Sequence, residues 1–355
     1  MPEPSNRYDL TAARSHARAD EQRRDYGVTI DCHTHVLVPA AAEAIRAHLK
    51  PDPHAGTYSE DTRILRRRQD DDRTPNLINL DLRLRDYDSM GLHAQIISPA
   101  PGQCYYEVPD EPGAEAARLV NEGIAAIVAA RPGRIAAGLG SVPLGAGGDM
   151  AAAELSHCMN ELKLKGVEVL AHVGKRELSD PDFEPFWARA QELGAVVFIH
   201  PSGFTEPRRF GRFYASNIIG NPLDTSLALF SLIFDGVLDR YPDLKIVAAH
   251  GGGYLPAYSG RMDHGWGARS DAHGSLPRPP SEYLKKIYVD SVVFTPHQLA
   301  ALADLLGSDR ILLGTDYPYD MGEYDPLGHI GSVGSFTAAD RAAIAGGNAK
   351  ALFGL

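Results

Sequence analysis

The sequence predicts a (β/α)8 TIM barrel with a small insertion after its first strand. Three observations lead there. Eight short apolar runs alternate with segments of helical period. The runs are apolar nearly throughout, as parallel strands are when both faces are covered. Four of the runs end in a histidine or an aspartate, on the face where a parallel barrel builds its active site.

Residues 1–26 are polar and charged (Arg7, Arg14, Arg18, Asp20, Glu21, Arg23, Arg24) and read as an N-terminal arm or tail; residues 27–355 read as one domain. The first strand is predicted at 28–33, within the motif Ile30-Asp31-Cys32-His33-Thr34-His35. Alternate strand residues point to one side, so His33 and His35 aim two imidazoles at one point. Each neutral imidazole offers one lone pair, which suits a divalent metal. The stretch from 36 to about 84 then breaks the rhythm, with Pro39, Pro51, Pro53 and Pro75, many charges and little period. It is too long for a simple loop and helix. We expect an insertion over the barrel mouth that forms part of a substrate site.

From there the alternation is regular. Strands are predicted at 94–98, 135–139, 166–170, 195–200, 245–249, 287–290 and 311–314, and helices at 114–130, 150–163, 185–192, 225–240, 297–306 and 338–351. Ser179-Asp180-Pro181 and Thr295-Pro296 are helix start signals. A doubly wound open sheet is the competing arrangement. The absence of a glycine-rich phosphate loop after the first strand counts against it.

Composition narrows the function. The net charge is −11, and no run of Lys and Arg interleaves with aromatics, so nucleic acid is not an expected partner. Arg66-Arg67-Arg68 is offset at once by Asp70-Asp71-Asp72. Cys32, Cys104 and Cys158 are odd in number and far apart, which excludes a disulfide framework. With no apolar leader and no long apolar span, the chain reads as cytoplasmic, soluble and without membrane contact.

The strand ends carry the chemistry. Phe198-Ile199-His200-Pro201 puts His200 at the end of strand five, Ala249-His250-Gly251 puts His250 at the end of strand six, and Gly314-Thr315-Asp316-Tyr317-Pro318 puts Asp316 at the end of strand eight. In a barrel these converge with His33 and His35 on one mouth. Taken singly, each histidine fits a satisfied core residue and Asp316 fits a turn former. Four independent strand ends giving the same polar answer favour a metal site.

These motifs, with Gly260-Arg261-Met262-Asp263-His264-Gly265, resemble the amidohydrolase superfamily, in the subgroup around aminocarboxymuconate semialdehyde decarboxylase. The resemblance implies one Zn²⁺, with Mn²⁺ or Co²⁺ as alternatives, held by His33, His35, His200 and Asp316. It leaves His250 unligated as general acid/base beside the catalytic Asp316. Strand four ends Val169-Leu170-Ala171-His172 without a bridging lysine, which favours a mononuclear site. His172 is then a substrate contact or, equally, a satisfied loop residue.

Arg261 matches an arginine that binds the substrate carboxylate across a dimer interface in the decarboxylases, which implies a homodimer; a local salt bridge to Asp263 is the alternative. A second substrate arginine falls in the insertion, where Arg63, Arg66, Arg67 and Arg68 compete. Asp290, ending strand seven, touches substrate or orients a ligand or His250, or is structural. Phe204 replaces a tryptophan-rich stretch of the relatives, so the aromatic wall of the substrate site differs. Histidine rather than glutamate at position 33 is closer to the muconate-type arrangement than to the benzoate type. The expected function is zinc-dependent, non-oxidative decarboxylation of a small unsaturated or aromatic carboxylic acid, with no organic cofactor. A metal-dependent hydrolase of the same superfamily is the alternative, and a ligand-binding barrel without catalysis is a distant third.

Overall fold

A computed structural model describes residues 26–49, 56, 58–203 and 209–355. Phe204 and nearly all of the expected N-terminal arm lie outside the described residues. Eight parallel strands form the frame: β1 (Ile30–Val36), β2 (Ala94–Pro99), β3 (Ile135–Gly138), β4 (Gly166–Leu170), β5 (Val196–His200), β6 (Lys245–Ala248), β7 (Tyr288–Asp290) and β8 (Ile311–Leu312). Ladders run β1-β2-β3 and then β4-β5-β6-β7-β8, with the short strand Gly140–Ser141 pairing with β4 just past β3. Backbone bonds join the two arcs. Lys165 N–H donates to Gly138 at 3.0 Å, Cys32 to Leu313 at 2.9 Å, Asp316 to His33 at 2.8 Å, and His35 to Tyr317 at 2.9 Å. The last three stitch the chain after β8 to β1 and close the ring.

Alternation along the strands sorts the core into two layers. Ile30, Cys32, Ile96, Leu139, Phe198, Val247 and Leu312 fill the barrel interior. Val167, Val169, Val197 and Ile199 face outward and pack with residues such as Phe186 and Leu229 on the surrounding helices. Both layers are excluded from water, as the apolar strand runs require. Cys32, Cys104 and Cys158 are buried free thiols. Among the described residues no helix is long and apolar enough to cross a membrane.

Several predicted bounds move. The first strand runs from 30 to 36 rather than 28 to 33, and its pairing with β2 shifts between Asp31 and Thr34. His33 and His35 therefore lie inside the strand. The helix predicted at 225–240 is two helices, Asn221–Phe234 and Val237–Arg240, broken where Gly236 turns left-handed at φ 75°. The closing helix is interrupted by a π turn at Ala343–Gly347.

The 36–84 stretch is mostly helical: α1 (Pro39–Ala44), α2 (Glu60–Ile78) and α3, which extends past it (Leu80–Met90). Ser59 caps α2 by accepting the Thr62 N–H, and Asn79 caps α3 through Leu82 N–H. α2 buries only Thr62, Gln69 and Leu77. A helix so polar on every side has no apolar stripe, which is why its period is not legible.

Candidate active site

The site is built from β1 upward. Asp31 is buried beneath it and ties β1 to its neighbours, accepting the N–H groups of His33 at 3.0 Å and Thr315 at 3.1 Å and the hydroxyls of Tyr87 and Thr315. Burial pushes its carboxyl up to about 6 against those donors. From α3, the fully buried Arg83 holds Thr34 Oγ1 at 2.7 Å and the His35 carbonyl. The strand carrying the H-x-H pair is thus braced from both sides.

Each β1 histidine has one ring nitrogen committed and the other free. His33 Nδ1–H donates to Asp290 Oδ2 at 2.6 Å, and His35 Nδ1–H donates to the Pro99 carbonyl at 2.9 Å. Their Nε2 atoms then aim at Asp316 Oδ1, at 3.2 and 3.3 Å. His200 closes the third side, its ring centroid 5.1 Å from that of His33 and 4.8 Å from that of His35. Among the described residues neither of its ring nitrogens has a hydrogen-bond partner.

His250 completes the group, with Nε2 3.3 Å from Asp316 Oδ2. The ligand atoms of His33, His200, His250 and Asp316 all lie within 4.8 Å of one another. That set contains His250, which sequence reasoning reserves for proton transfer. His35 reaches the same Asp316 oxygen from β1.

Asp290 organises two of these groups. Besides His33, its carboxylate accepts the backbone N–H groups of His250 at 2.8 Å and of Gly251 and Val292 at 3.0 Å. His250 and Asp316 are non-glycine residues in the left-handed region, at φ 55° and 59°. Each has its strained N–H held by a β1 or β7 acceptor, since Asp316 N–H bonds the His33 carbonyl. Gly314 passes so close that a Cβ there would stand 2.8 Å from Asp290 Cβ and 3.0 Å from His33 Cβ.

The electrostatics match a cation site. Burial alone would lower the His33 imidazolium, but Asp316 and Asp290 push it up to about 10. Burial would raise Asp316, yet His33, His250 and His35 hold it well below the usual carboxylate range. Burial and the neighbouring imidazoles push His200 well below its ordinary value. Among the described residues, the buried Nε2 atoms of His33 and His35, both nitrogens of His200, Nδ1 of His250 and Oδ1 of Asp316 lack hydrogen-bond partners. Orphaned donors of this kind need an occupant, and three imidazoles with a carboxylate are a suitable set for a divalent metal.

Other predicted residues fall less uniformly. His172 lies at the mouth, but its ring is engaged by carbonyls: Nδ1 is 3.0 Å from Gly174 O, and Nε2 is 3.3 Å from Gly203 O and 3.7 Å from Asp224 Oδ2. Arg261, on the helix Ser259–Ala268, is exposed and makes no ion pair among the described residues. Asp263 is occupied by the N–H and hydroxyl of Ser281, so the local Arg261–Asp263 bridge does not form.

Of the competing insertion arginines, Arg63, Arg67 and Arg68 are exposed and Arg66 is half-buried, its guanidinium 4.5 Å from the Tyr58 ring. Sequence reasoning missed Arg73, whose guanidinium lies 4.7 Å over the Tyr319 ring, which itself meets His35 edge-on at 5.2 Å. It also missed Glu168, inside the barrel behind His35. An acid in the centre of the apolar run Gly166-Val167-Glu168-Val169-Leu170 was the available signal.

Comparison with known proteins identifies the family. Residues 30–355 match the amidohydrolase family. The chain is 35% identical over 276 residues to 2-amino-3-carboxymuconate-6-semialdehyde decarboxylase from Dictyostelium discoideum, covering 78% of this chain and 76% of that protein. The structure of 5-carboxyvanillate decarboxylase from Sphingomonas paucimobilis matches with a TM-score of 0.80 at 25% identity, covering 92% of this chain and 99% of that one. A dihydroxybenzoic acid decarboxylase from Polaromonas sp. JS666 shares the fold, with a TM-score of 0.78 at 24% identity over 93% of this chain and 97% of that one; its structure contains manganese and the inhibitor 2-nitroresorcinol.

Proposed function

Because the chain belongs to the amidohydrolase family, we propose that it is a metal-dependent, non-oxidative decarboxylase of an unsaturated or aromatic carboxylic acid. The observation that carries this reading is the convergence of four histidines and Asp316, with unpartnered ligand atoms, in a chain whose named relatives are decarboxylases. In this reading His33, His35, His200 and Asp316 hold one zinc ion. The choice of zinc rests on the three imidazoles; manganese, present in a structural relative, and cobalt suit the same donors.

His250 remains free of the metal. Its side chain keeps 15% exposure, against 7% for Asp316 and none for His33 and His35, so it faces the space a substrate enters. When bound, the metal polarises a substrate oxygen and stabilises the negative charge that develops as CO2 leaves.

The protein's side chains do the rest. Arg73, which lies over the Tyr319 ring and pairs with Asp70 on its own helix, and Arg66 form the insertion's basic wall at the mouth and hold the substrate carboxylate. His250 gives a proton to the carbon that loses CO2, and Asp316 steadies its Nε2–H. Asp290 fixes the pose of both His33 and His250. His172 belongs to the rim of the substrate site.

Arg261, exposed on its helix, serves the neighbouring subunit of a homodimer in this reading. In support, Phe213, Ile218, Ile219, Leu227, Phe230 and Tyr258 are exposed apolar side chains. Tyr254 links their segment to the one carrying Arg261 by bonding the Ile218 and Ile219 carbonyls. Residues 27–355 are one domain, with 36–84 as the insertion that supplies the basic wall. A cytoplasmic setting accords with three buried, unpaired cysteines.

The test is His250→Ala. It should keep its metal by elemental analysis yet lose about 100- to 10,000-fold in CO2 release; full turnover in that variant would overturn the role. Chelation should abolish CO2 release, and Zn²⁺ or Mn²⁺ should restore it. A product that incorporates solvent oxygen without releasing CO2 would identify a hydrolase instead.

A further inference from the structure

We propose that Glu168 is a positioning residue for His35 and, through it, sets how tightly the site holds its metal. The inference rests on His35 being a ligand, as proposed above. Glu168 is fully buried in the barrel interior, where Leu139, Phe198 and Val247 are apolar. An ionised carboxylate in such a place carries a large desolvation penalty, so its contacts are informative.

Ser98 Oγ donates to Glu168 Oε2 at 2.5 Å, and that same oxygen lies 3.5 Å from His35 Nδ1. Glu168 Oε1 has no hydrogen-bond partner among the described residues. Ser98 Oγ is itself 3.3 Å from His35 Nδ1. A hydroxyl has one hydrogen, and the short contact with Glu168 takes it. A lone pair of Ser98 is then left to accept from His35 Nδ1–H, sharing that hydrogen with the Pro99 carbonyl at 2.9 Å.

Pro99 and Ser98 thus share one N–H, on the side of the ring away from Asp316, and the Glu168 carboxylate both holds Ser98 in that role and stands 3.5 Å from the same nitrogen. Drawing on Nδ1–H fixes the tautomer and makes Nε2 a better donor. Asp290 does the same for His33 at 2.6 Å, but it also holds three backbone N–H groups. Glu168 accepts no backbone N–H among the described residues, so its effect on the metal is separable from the fold.

The experiment titrates Co²⁺ or Mn²⁺ alone into metal-free protein against a competing chelator, for wild type, Glu168→Gln, Glu168→Ala, Ser98→Ala and His200→Ala. Both Glu168 variants should raise the metal dissociation constant about 10- to 100-fold and shift the visible Co²⁺ bands, and Ser98→Ala should do so more weakly. His200→Ala should lose binding outright. Metal-free Glu168→Gln should unfold near the wild-type temperature. If it does not fold, Ser98→Ala carries the test, and unchanged affinity there overturns the inference. Unchanged affinity and spectrum in folded Glu168→Gln overturn the inference and leave the ligand set standing. Failure of the wild type to bind metal overturns both.

Discussion

Asp290 fixes more of the site than any single ligand does. One carboxylate receives the His33 ring and three backbone N–H groups, and its four hydrogen bonds span 2.6 to 3.0 Å. Those donors outweigh the effect of burial and hold the group below its ordinary value. Asp290→Ala leaves buried donors without an acceptor, at about 1–3 kcal/mol each, and should lower folded yield. Asp290→Asn keeps the shape but brings in a donor where His33 and His250 need an acceptor. We expect it to reduce both bound metal and CO2 release by at least about 10-fold; elemental analysis and a CO2 assay check this, and normal values for both would refute it. At this scale the sequence was informative wherever a polar residue closed an apolar run, as at His200, His250, Asp290 and Asp316. It was silent on the left-handed backbone at His250 and Asp316, because neither residue is a glycine. Glu168 was visible but unread, since one acid within a strand run resembles an ordinary outward-facing polar residue.

At the scale of elements, α2 and the loops after β4 and β5 shape the mouth. Arg73 projects from α2 over Tyr319, and Gln69 from the same helix bonds Asp320. Arg73→Ala should raise KM about 10- to 100-fold with a smaller change in kcat, as loss of a carboxylate clamp does; steady-state kinetics on any accepted substrate acid decide this. The loop after β4 meets the helix Asn221–Phe234 at His172 and Asp224. Burial pushes the Asp224 carboxyl up to about 7, against the pull of His172. An unfolded aspartate ionises near pH 4, so between about pH 4 and 7 the folded protein binds the extra proton. Stability from this group therefore falls as pH rises through that window, and Asp224→Asn should flatten the slope in urea denaturation at pH 5, 6 and 7. An unchanged slope would show that Asp224 ionises normally. Strand positions were legible because apolar runs mark them. α2 was not, because only three of its residues are buried, and its place over the mouth comes from tertiary contacts such as Arg73–Tyr319 rather than from local pattern.

For the whole molecule, the barrel itself followed from the alternation of runs, while its closure did not. Closure depends on backbone bonds between residues 32–35 and 313–317, which no side-chain pattern encodes. The assembly is testable by complementation. If Arg261 serves the neighbouring site, His250→Ala and Arg261→Ala dimers that are inactive alone should recover about a quarter of wild-type activity when subunits are exchanged at equal amounts. No recovery, with exchange shown by mass spectrometry, would place Arg261 at its own site or at none. Closure also has a temporal side. Thr34 and Tyr317, which bond to each other, are 283 positions apart in the chain. During synthesis His33 and His35 emerge well before Asp316 and wait for it. A nascent chain halted before that point has every imidazole but no ring to gather them. If the ligand set proposed above is right, a product truncated before Asp316 should leave the ribosome metal-free.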